Sequence, residues 1–219
     1  MTVHSFERVN MAQQAGGGAG GGEVGEKRER ILEAAEEVFA RRGFHGARVT
    51  DIARLAGVAD GTIYLYFKSK DDLLVSLFED RVERINNMLR IILASEQRAQ
   101  ARLEKFINYY LGLAVKNPNL AEVIAIELRS SSKFMKEYKN VKFIEFLGLL
   151  AQIIKDGQTA GEIREDLTPE VISRTLFGAL DELLLGYLLS RRRYYEATSA
   201  SEQVFNVFWT GLENRGGRR

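Results

Sequence analysis

The 219-residue sequence contains no cysteine and only two histidines and two prolines. The lack of cysteine excludes disulfides, thiolate zinc sites and cysteine nucleophiles. His4 and His45 lie far apart in the sequence, which argues against a histidine-built metal centre or a histidine-based catalytic triad. The sequence also lacks a phosphate-binding glycine loop. It therefore gives an all-helical enzyme little support, and we expect neither a cofactor nor a metal.

Long apolar runs and single-sign charge are also scarce. No stretch reaches the ~18 apolar residues of a membrane span, and the N-terminus has no apolar segment after basic residues. The sequence predicts a cytoplasmic protein without a membrane partner. The net charge is +1, so overall charge does not indicate nucleic-acid binding. Residues 26–70 carry nine Lys or Arg against seven acids, which is a weak signal for phosphate contacts.

The composition divides the chain into three parts. A glycine-rich tract over residues 16–22 cannot bury enough apolar surface to offset its conformational entropy, and residues 1–25 are predicted to form a flexible tail. Met1 and Met11 are both candidate starts of translation. Residues 26–72 are predicted to form a DNA-binding domain, and residues 73–219 a ligand-binding and dimerisation domain.

The predicted DNA-binding domain shows three helical segments. Apolar residues recur at helical spacing from Ile31 to Phe39, and Gly43 suits a left-handed cap. Thr50 is a candidate N-cap of a short second helix that ends at Gly57. Residues 60–67 follow as a third short helix. Two short helices joined by a tight glycine-containing turn predict a helix-turn-helix.

Ser69 and Asp72 resemble a capping box that opens a long fourth helix to about Leu93. Further amphipathic segments extend over about 97–116, 119–129, 134–156, 168–190 and 197–213. Gly157 and Gly161 are expected in a loop, and Thr168 and Pro169 at a helix start. No run of alternating strands is found. The fold class is predicted to be all-α, with about nine helices.

The last two helices are predicted to form a homodimer as a four-helix interface. Small residues at 178 and 179 lie beside leucines. The final helix offers apolar surface at Val204, Phe205, Val207, Phe208 and Leu212.

The sequence of the predicted DNA-binding domain resembles the TetR family of transcriptional regulators. The resemblance rests on RERILEAA at residues 28–35, TDIA at 50–53 and GVADGTIYLYFKSK at 57–70. It implies that the third helix enters the major groove of an operator and that flanking residues bind phosphates. The implied DNA-binding residues are Arg48, Thr50, Asp60, Gly61, Thr62, Tyr64, Tyr66, Lys68 and Lys70. The chain departs from a common Ser-Lys pair of the family with Ala59 and Asp60, so the operator sequence stays open.

Two short segments of the body, AIELRS at residues 125–130 and FGALDE at 177–182, resemble family members that respond to long-chain acyl-CoA and control fatty-acid degradation. The predicted ligand-binding residues are Tyr109, Glu127, Leu128, Arg129, Phe143, Leu147, Phe177 and Asp181. Alternatives remain for each group. The cluster at 127–129 also fits a solvated helix end, Asp181 also fits water or a dimer partner, and the aromatic residues fit an ordinary core.

The resemblance implies a repressor that binds a palindromic double-stranded operator as a homodimer and is released by a small hydrophobic effector, a long-chain acyl-CoA. The alternative is a repressor of the same family that controls an efflux pump or another metabolic operon and responds to a different hydrophobic ligand.

Overall fold

The computed structural model describes residues 19–128, 141–190 and 196–214. Within these ranges the chain forms nine α-helices and a single π-helical turn, and the extended structure is limited to an isolated bridge between Ile163 and Glu213. The helices are α1 (Ala19–Gly46), α2 (Val49–Ala56), α3 (Asp60–Tyr66), α4 (Lys70–Ala94), α5 (Ala99–Lys116), α6 (Pro118–Glu122), the π turn (Val123–Glu127), α7 (Val141–Thr159), α8 (Pro169–Leu189) and α9 (Ala197–Leu212). The all-α prediction is confirmed.

Helix α1 begins at Ala19, seven residues before the predicted boundary of the tail. Once a helix is nucleated, each added residue contributes one backbone hydrogen bond, and Lys27 and Glu23 form an i,i+4 ion pair at 2.6 Å on this extension. Residues 1–18 lie outside the described part of the chain. At its other end α1 is kinked at Gly43, which has φ 70° and ψ 160°. The positive φ agrees with the predicted glycine position, but Gly43 is not a left-handed cap, because α1 continues past it to Gly46.

In the head, which we define as α1 to α3, the long helix α1 and the two short helices α2 and α3 pack their apolar faces into one small core. The predicted stripe of α1 is buried, and Phe67 is only 2% exposed, so the structure places Phe67 in the core. Arg28 lies over the Phe67 ring at 5.7 Å. The fully buried large side chains of this core are Ile31, Leu32, Phe39, Ile52, Ile63 and Phe67. This packing orients α3 and leaves one of its faces outside.

The three predicted N-caps have different outcomes. Thr168 is confirmed as the N-cap of α8, with Pro169 at the start of the helix. Ser69 precedes α4 and its hydroxyl accepts a hydrogen bond from the Asp72 amide at 3.1 Å, which confirms the cap. The reciprocal carboxylate of Asp72 accepts from the Lys68 amide at 2.7 Å. The predicted cap at Thr50 is wrong, because Arg48 occupies the cap position in extended conformation and α2 already begins at Val49.

The body is built from α4 to α9, with α5 packed against α9 and α7 packed against α8. Glu162 lies beside the first amides of α5 and beside Arg98. No helix in the described ranges combines the length and apolarity that crossing a membrane requires. Gly157 was expected in a loop but is buried inside α7. A Cβ there would lie 2.6 Å from Ile163 and 2.7 Å from Ala99, so only glycine permits this close packing.

Helices α8 and α9 expose apolar side chains that the described part of the chain leaves uncovered. Val171, Leu189 and Val207 are 59%, 65% and 72% exposed, and Phe205 stacks on Trp209 with 6.1 Å between ring centroids. Leu212 was expected on this surface, but it is 3% exposed. The Leu212 carbonyl accepts from the Arg164 amide, which holds this end of α9 against the loop after α7.

Candidate DNA-binding and effector sites

One face of α3 is open to solvent. Ile63 is buried in the head core, and Thr62 and Tyr66 flank it as half-buried residues. The opposite face carries Asp60, Gly61, Tyr64 and Leu65, which are all exposed. A short helix with one buried residue and a continuous exposed face has the form of a recognition helix for the major groove.

Leu65 belongs to this exposed face and was not among the predicted DNA-binding residues. It is 83% exposed, and Tyr64 is 58% exposed. At 100° per residue, Leu65 lies about 40° from Gly61 on the helix circumference. The helical spacing from buried Ile63 was the signal that could have identified it. Its methyl groups are suited to contact thymine methyl groups.

Tyr66 differs from Tyr64 in its surroundings. Its ring lies 6.3 Å from the Phe67 ring and is half-buried against the head core. Tyr64 therefore shares the open face, whereas Tyr66 lies at its border.

The residues expected near phosphates lie around the ends of α2 and α4. Arg48, Thr50 and Lys68 are exposed, with Thr50 in the first turn of α2. The Lys70 ammonium instead donates to the backbone carbonyls of Phe44 at 2.7 Å and Ala47 at 3.2 Å. Lys70 thus fixes the segment between the kink of α1 and the start of α2, a structural role that the sequence did not indicate.

A cluster of aromatic rings joins three helices in the body. Phe143 and Phe146 of α7, Phe177 of α8 and Tyr110 of α5 contact one another, with 4.8 Å between the Phe143 and Phe177 centroids and 5.8 Å between those of Tyr110 and Phe177. The structure thus brings together two predicted ligand residues, Phe143 and Phe177. Leu147 is buried in the core beside this cluster.

Polar groups accompany the aromatic cluster. The Tyr110 hydroxyl donates to the Asp181 carboxylate at 3.2 Å, and Asp181 is half-buried. Tyr110 was missed as a site residue, although a buried phenol needs a hydrogen-bond partner. Tyr109, the neighbouring residue of α5, is half-buried against the core, and burial raises the pKa of its hydroxyl above the ordinary value.

Asn86 of α4 is a second polar residue that the sequence did not single out. Its side chain is fully buried, and its amide nitrogen donates to the Lys142 carbonyl at 3.0 Å. Its Oδ1 atom has no hydrogen-bond partner among the residues that the structure describes. A buried acceptor without a partner is uncommon, and Asn86 is therefore a candidate polar contact for an effector.

The residues predicted at 127–129 are divided by the structure. Leu128 is buried, and Arg129 lies outside the described residues. Glu127 is 7% exposed, and its carboxylate accepts a hydrogen bond from the Phe44 amide of the head. The proposed solvated helix end is wrong for Glu127 because this side chain is buried. A ligand role for Glu127 stays a prediction beside this contact with the head.

A buried arginine links α1 to α4. Arg81 is 6% exposed, and its guanidinium donates to Glu36 at 2.7 Å, to Glu29 at 2.9 Å and to Asp80 at 2.7 Å. Burial disfavours its charge, but hydrogen bonds and charge from Glu36 and Glu29 raise the pKa of Arg81 above its ordinary value. The network fixes the head on the long helix that continues into the body.

No group of three or more histidine or acidic residues suited to a metal ion occurs in the described ranges. The features present are a recognition helix on a small head and an aromatic-rich helical body joined by one long helix. They define a DNA-binding regulator with a helix-turn-helix head and a helical effector domain.

Comparison with known protein families agrees with this class. Residues 31–77 match the family "Bacterial regulatory proteins, tetR family", and residues 78–211 match "YsiA-like protein, C-terminal region". The chain is 33% identical to the fatty acid metabolism regulator protein of Bacillus subtilis (strain 168) over 186 residues, which cover 85% of this chain and 95% of that protein. The chain therefore belongs to the TetR family of transcriptional regulators.

Solved structures of related regulators share the fold. FadR from Bacillus subtilis in complex with stearoyl-CoA has a TM-score of 0.77 and 32% identity, covering 84% of this chain and 99% of that one. The fatty acid degradation regulator FadR from Bacillus halodurans has a TM-score of 0.77 and 31% identity with the same coverage. Both the head and the body of this chain are included in these matches.

Proposed function

We propose that this regulator is a homodimeric repressor of fatty-acid degradation genes that leaves its operator when a long-chain acyl-CoA binds the body. The observation that carries this proposal is the similarity to the FadR complex with stearoyl-CoA, which extends over 84% of this chain and 99% of that one. The identity to a fatty acid metabolism regulator supports the same target genes. Similarity over the whole body matters because regulators with a common DNA-binding fold differ in the effector that their bodies bind.

In this proposal the exposed face of α3 reads the operator from the major groove. Tyr64 on this face and half-buried Thr62 at its edge select bases, Gly61 permits close approach, and Asp60 accepts from a cytosine amine. The contacts with phosphates come from Arg48, Thr50 and Lys68, with Tyr66 at the border of the face. Lys70 adds positive charge while its ammonium holds the turn of the head.

The effector part of the proposal places the acyl chain among the apolar residues of the body. Ligand pockets are mostly apolar and contain a few polar groups that fix orientation. The aromatic cluster supplies the apolar surface, and Asp181, Tyr110 and Asn86 supply polar groups. The proposed lining also includes Tyr109, Leu128 and Leu147, and Arg129 is proposed for a phosphate of the CoA.

The proposed dimer uses α8 and α9. Their exposed Val171, Leu189 and Val207 would be covered by the same helices of a second copy in a two-fold arrangement. A dimer also suits an operator with two half-sites, because its heads can occupy successive major grooves about 34–36 Å apart.

Operator release by acyl-CoA tests the proposal. A labelled duplex from the region upstream of the gene is bound by the protein, and stearoyl-CoA, shorter acyl-CoAs, free CoA and free stearate are titrated. Each buried methylene contributes about 0.8 kcal/mol, so two further carbons should lower the half-release concentration about tenfold. Release should require both the chain and the CoA.

Failure of every acyl-CoA to release the duplex would contradict the proposed effector. A repressor that responds instead to a drug or another hydrophobic compound would point to the alternative, an efflux-pump or other metabolic operon. Mass spectrometry of ligand that copurifies with the protein separates these outcomes.

A further inference from the structure

The segment that follows the kink of α1, residues 43–47, is held from two sides, and we call it the turn because it redirects the chain toward α2. The Phe44 amide donates to the Glu127 carboxylate from the π turn of the body. The Phe44 carbonyl accepts from the Lys70 ammonium of α4 at 2.7 Å, and the same ammonium lies 4.6 Å from the centre of the Phe44 ring. Both backbone polar groups of one residue are therefore bound by charged side chains from other elements.

Gly43 brings this turn close to the body. Its φ of 70° places it in the left-handed region, and a Cβ atom on residue 43 would lie 3.5 Å from Glu127 Oε2. Any other residue would be strained by this backbone conformation, and its Cβ atom would be in van der Waals contact with the carboxylate. The turn and the Glu127 side chain thus fit each other directly.

Other polar contacts of the head lead to a different part of the molecule. Glu29 and Glu36 bind Arg81, Arg28 approaches Asp80, and Lys70 binds the turn, so these contacts reach only α4. In the described ranges, the hydrogen bond from Phe44 to Glu127 connects the head to the body beyond α4. It spans 83 positions of the sequence.

Glu127 is also placed to sense the interior of the body. It is the last residue of the π turn and precedes Leu128, which is 3% exposed within the core. A π turn has a wider backbone than an α-helix and recurs at functional sites. A change of packing around Leu128 therefore displaces the neighbouring carboxylate.

We infer that Glu127 is a positioning residue through which the body sets the orientation of the head. The inference rests on the proposed function for the identity of the effector. A hydrogen bond from a buried amide to a carboxylate is costly to leave unmade, so the turn follows Glu127 when the π turn moves. Helix α2 begins at Val49, five residues after Phe44, and its start moves with the turn.

By linkage, the effector and the operator then change each other's affinity by the same factor. The central experiment measures this coupling factor as the ratio of operator dissociation constants with and without saturating stearoyl-CoA. Glu127→Met removes the acceptor at similar size, and Glu127→Gln keeps an acceptor oxygen. Glu122→Met is the matched control, because its half-buried carboxylate has no hydrogen bond to the head among the described residues.

We expect Glu127→Met to reduce the coupling factor by about tenfold, while Glu127→Gln and Glu122→Met stay within about threefold of the unmodified protein. Stearoyl-CoA affinity measured without DNA should stay within about threefold in all variants. An unchanged coupling factor in Glu127→Met overturns the inference. A large loss of stearoyl-CoA affinity without DNA also overturns it, because Glu127 would then contact the ligand.

A distance measurement keeps the inference testable without any effector. The chain has no cysteine, so Leu55→Cys on the head and Glu104→Cys on α5 provide two exposed labelling sites. Spin-labelled chain is diluted with excess unlabelled chain to suppress distances between copies. Glu127→Met should broaden the distance distribution, and Glu127→Gln and Glu122→Met should not.

An unbroadened distribution in Glu127→Met overturns the inference. Broadening in a protein that does not respond to stearoyl-CoA would contradict only the proposed effector. If Glu127→Met does not fold, the experiments on this variant are replaced by measuring hydrogen exchange at the Phe44 amide of the unmodified protein with and without stearoyl-CoA. Protection that is the same with and without stearoyl-CoA, in a protein that the ligand releases from DNA, overturns the inference.

Discussion

Replacing Arg81 with methionine would remove the buried cation between α1 and α4 while keeping most of the apolar stem. The guanidinium is bound by Glu29, Glu36 and Asp80 at 2.7–2.9 Å. After the substitution Glu36 loses its ion pair, whereas Glu29 and Asp80 keep Arg84. The three acids would lie close together without their central positive charge.

Removing one partner of a buried ion pair costs about 3–5 kcal/mol. The acids here keep 15–28% of their side-chain exposure, and water therefore screens part of their repulsion. We expect a loss near the lower end, about 3 kcal/mol of unfolding free energy. For a chain of this size, about 2–4 °C per kcal/mol corresponds to a Tm lowered by about 6–12 °C.

Urea unfolding followed by far-UV circular dichroism measures this loss. Arg84→Met is the matched control, because Arg84 binds two of the same acids but is 56% exposed, and we expect it to cost less than about 1 kcal/mol. Adding Glu36→Gln to Arg81→Met should recover part of the loss. A loss below about 1 kcal/mol for Arg81→Met itself would refute a stabilising role of this network.

Three further predictions concern the head and the body. Gly61→Ala should stabilise α3 by about 0.5–1 kcal/mol because alanine favours helix. Operator affinity should fall because the new methyl group lies on the exposed face, and unchanged affinity would argue against a close approach of α3 to the DNA. Lys68→Ala should reduce the slope of log affinity against log salt by about 1 per lost phosphate contact. Tyr64→Ala should instead alter base preference and leave this slope unchanged, and gel shifts over a salt series distinguish the two effects. Burial and the nearby Glu127 charge raise the pKa of Glu122 above its ordinary value of 4.5, so the stability contribution of its protonated form is present at low pH and is lost as pH rises through the raised pKa. Glu122→Gln should therefore gain stability relative to the unmodified protein as the pH rises through this range. Parallel pH profiles of the two proteins in urea unfolding would contradict this.

The sequence by itself determined the local features of this protein. Apolar spacing from Ile31 to Phe39, the Ser69 cap and the left-handed Gly43 are set by residues within a few positions of one another, so helical periodicity and turn chemistry were sufficient to predict them. The helix-turn-helix was identified from the same short-range pattern. The start of α2 was misplaced, because Arg48 and not Thr50 occupies the cap position, and the start of α1 was misplaced, because that helix extends into the predicted tail to Ala19.

Only the tertiary structure decided which distant side chains meet. Periodicity marks a residue as buried but does not say what lies opposite. Gly157 was expected in a loop because of its residue type, whereas it lies inside α7 and packs closely against Ile163. The resemblance to acyl-CoA-responsive family members made Glu127 a predicted ligand residue, and the fold adds a contact between its carboxylate and the Phe44 amide, 83 positions away. Such contacts depend on the relative position of whole helices, which the summed packing of the core determines.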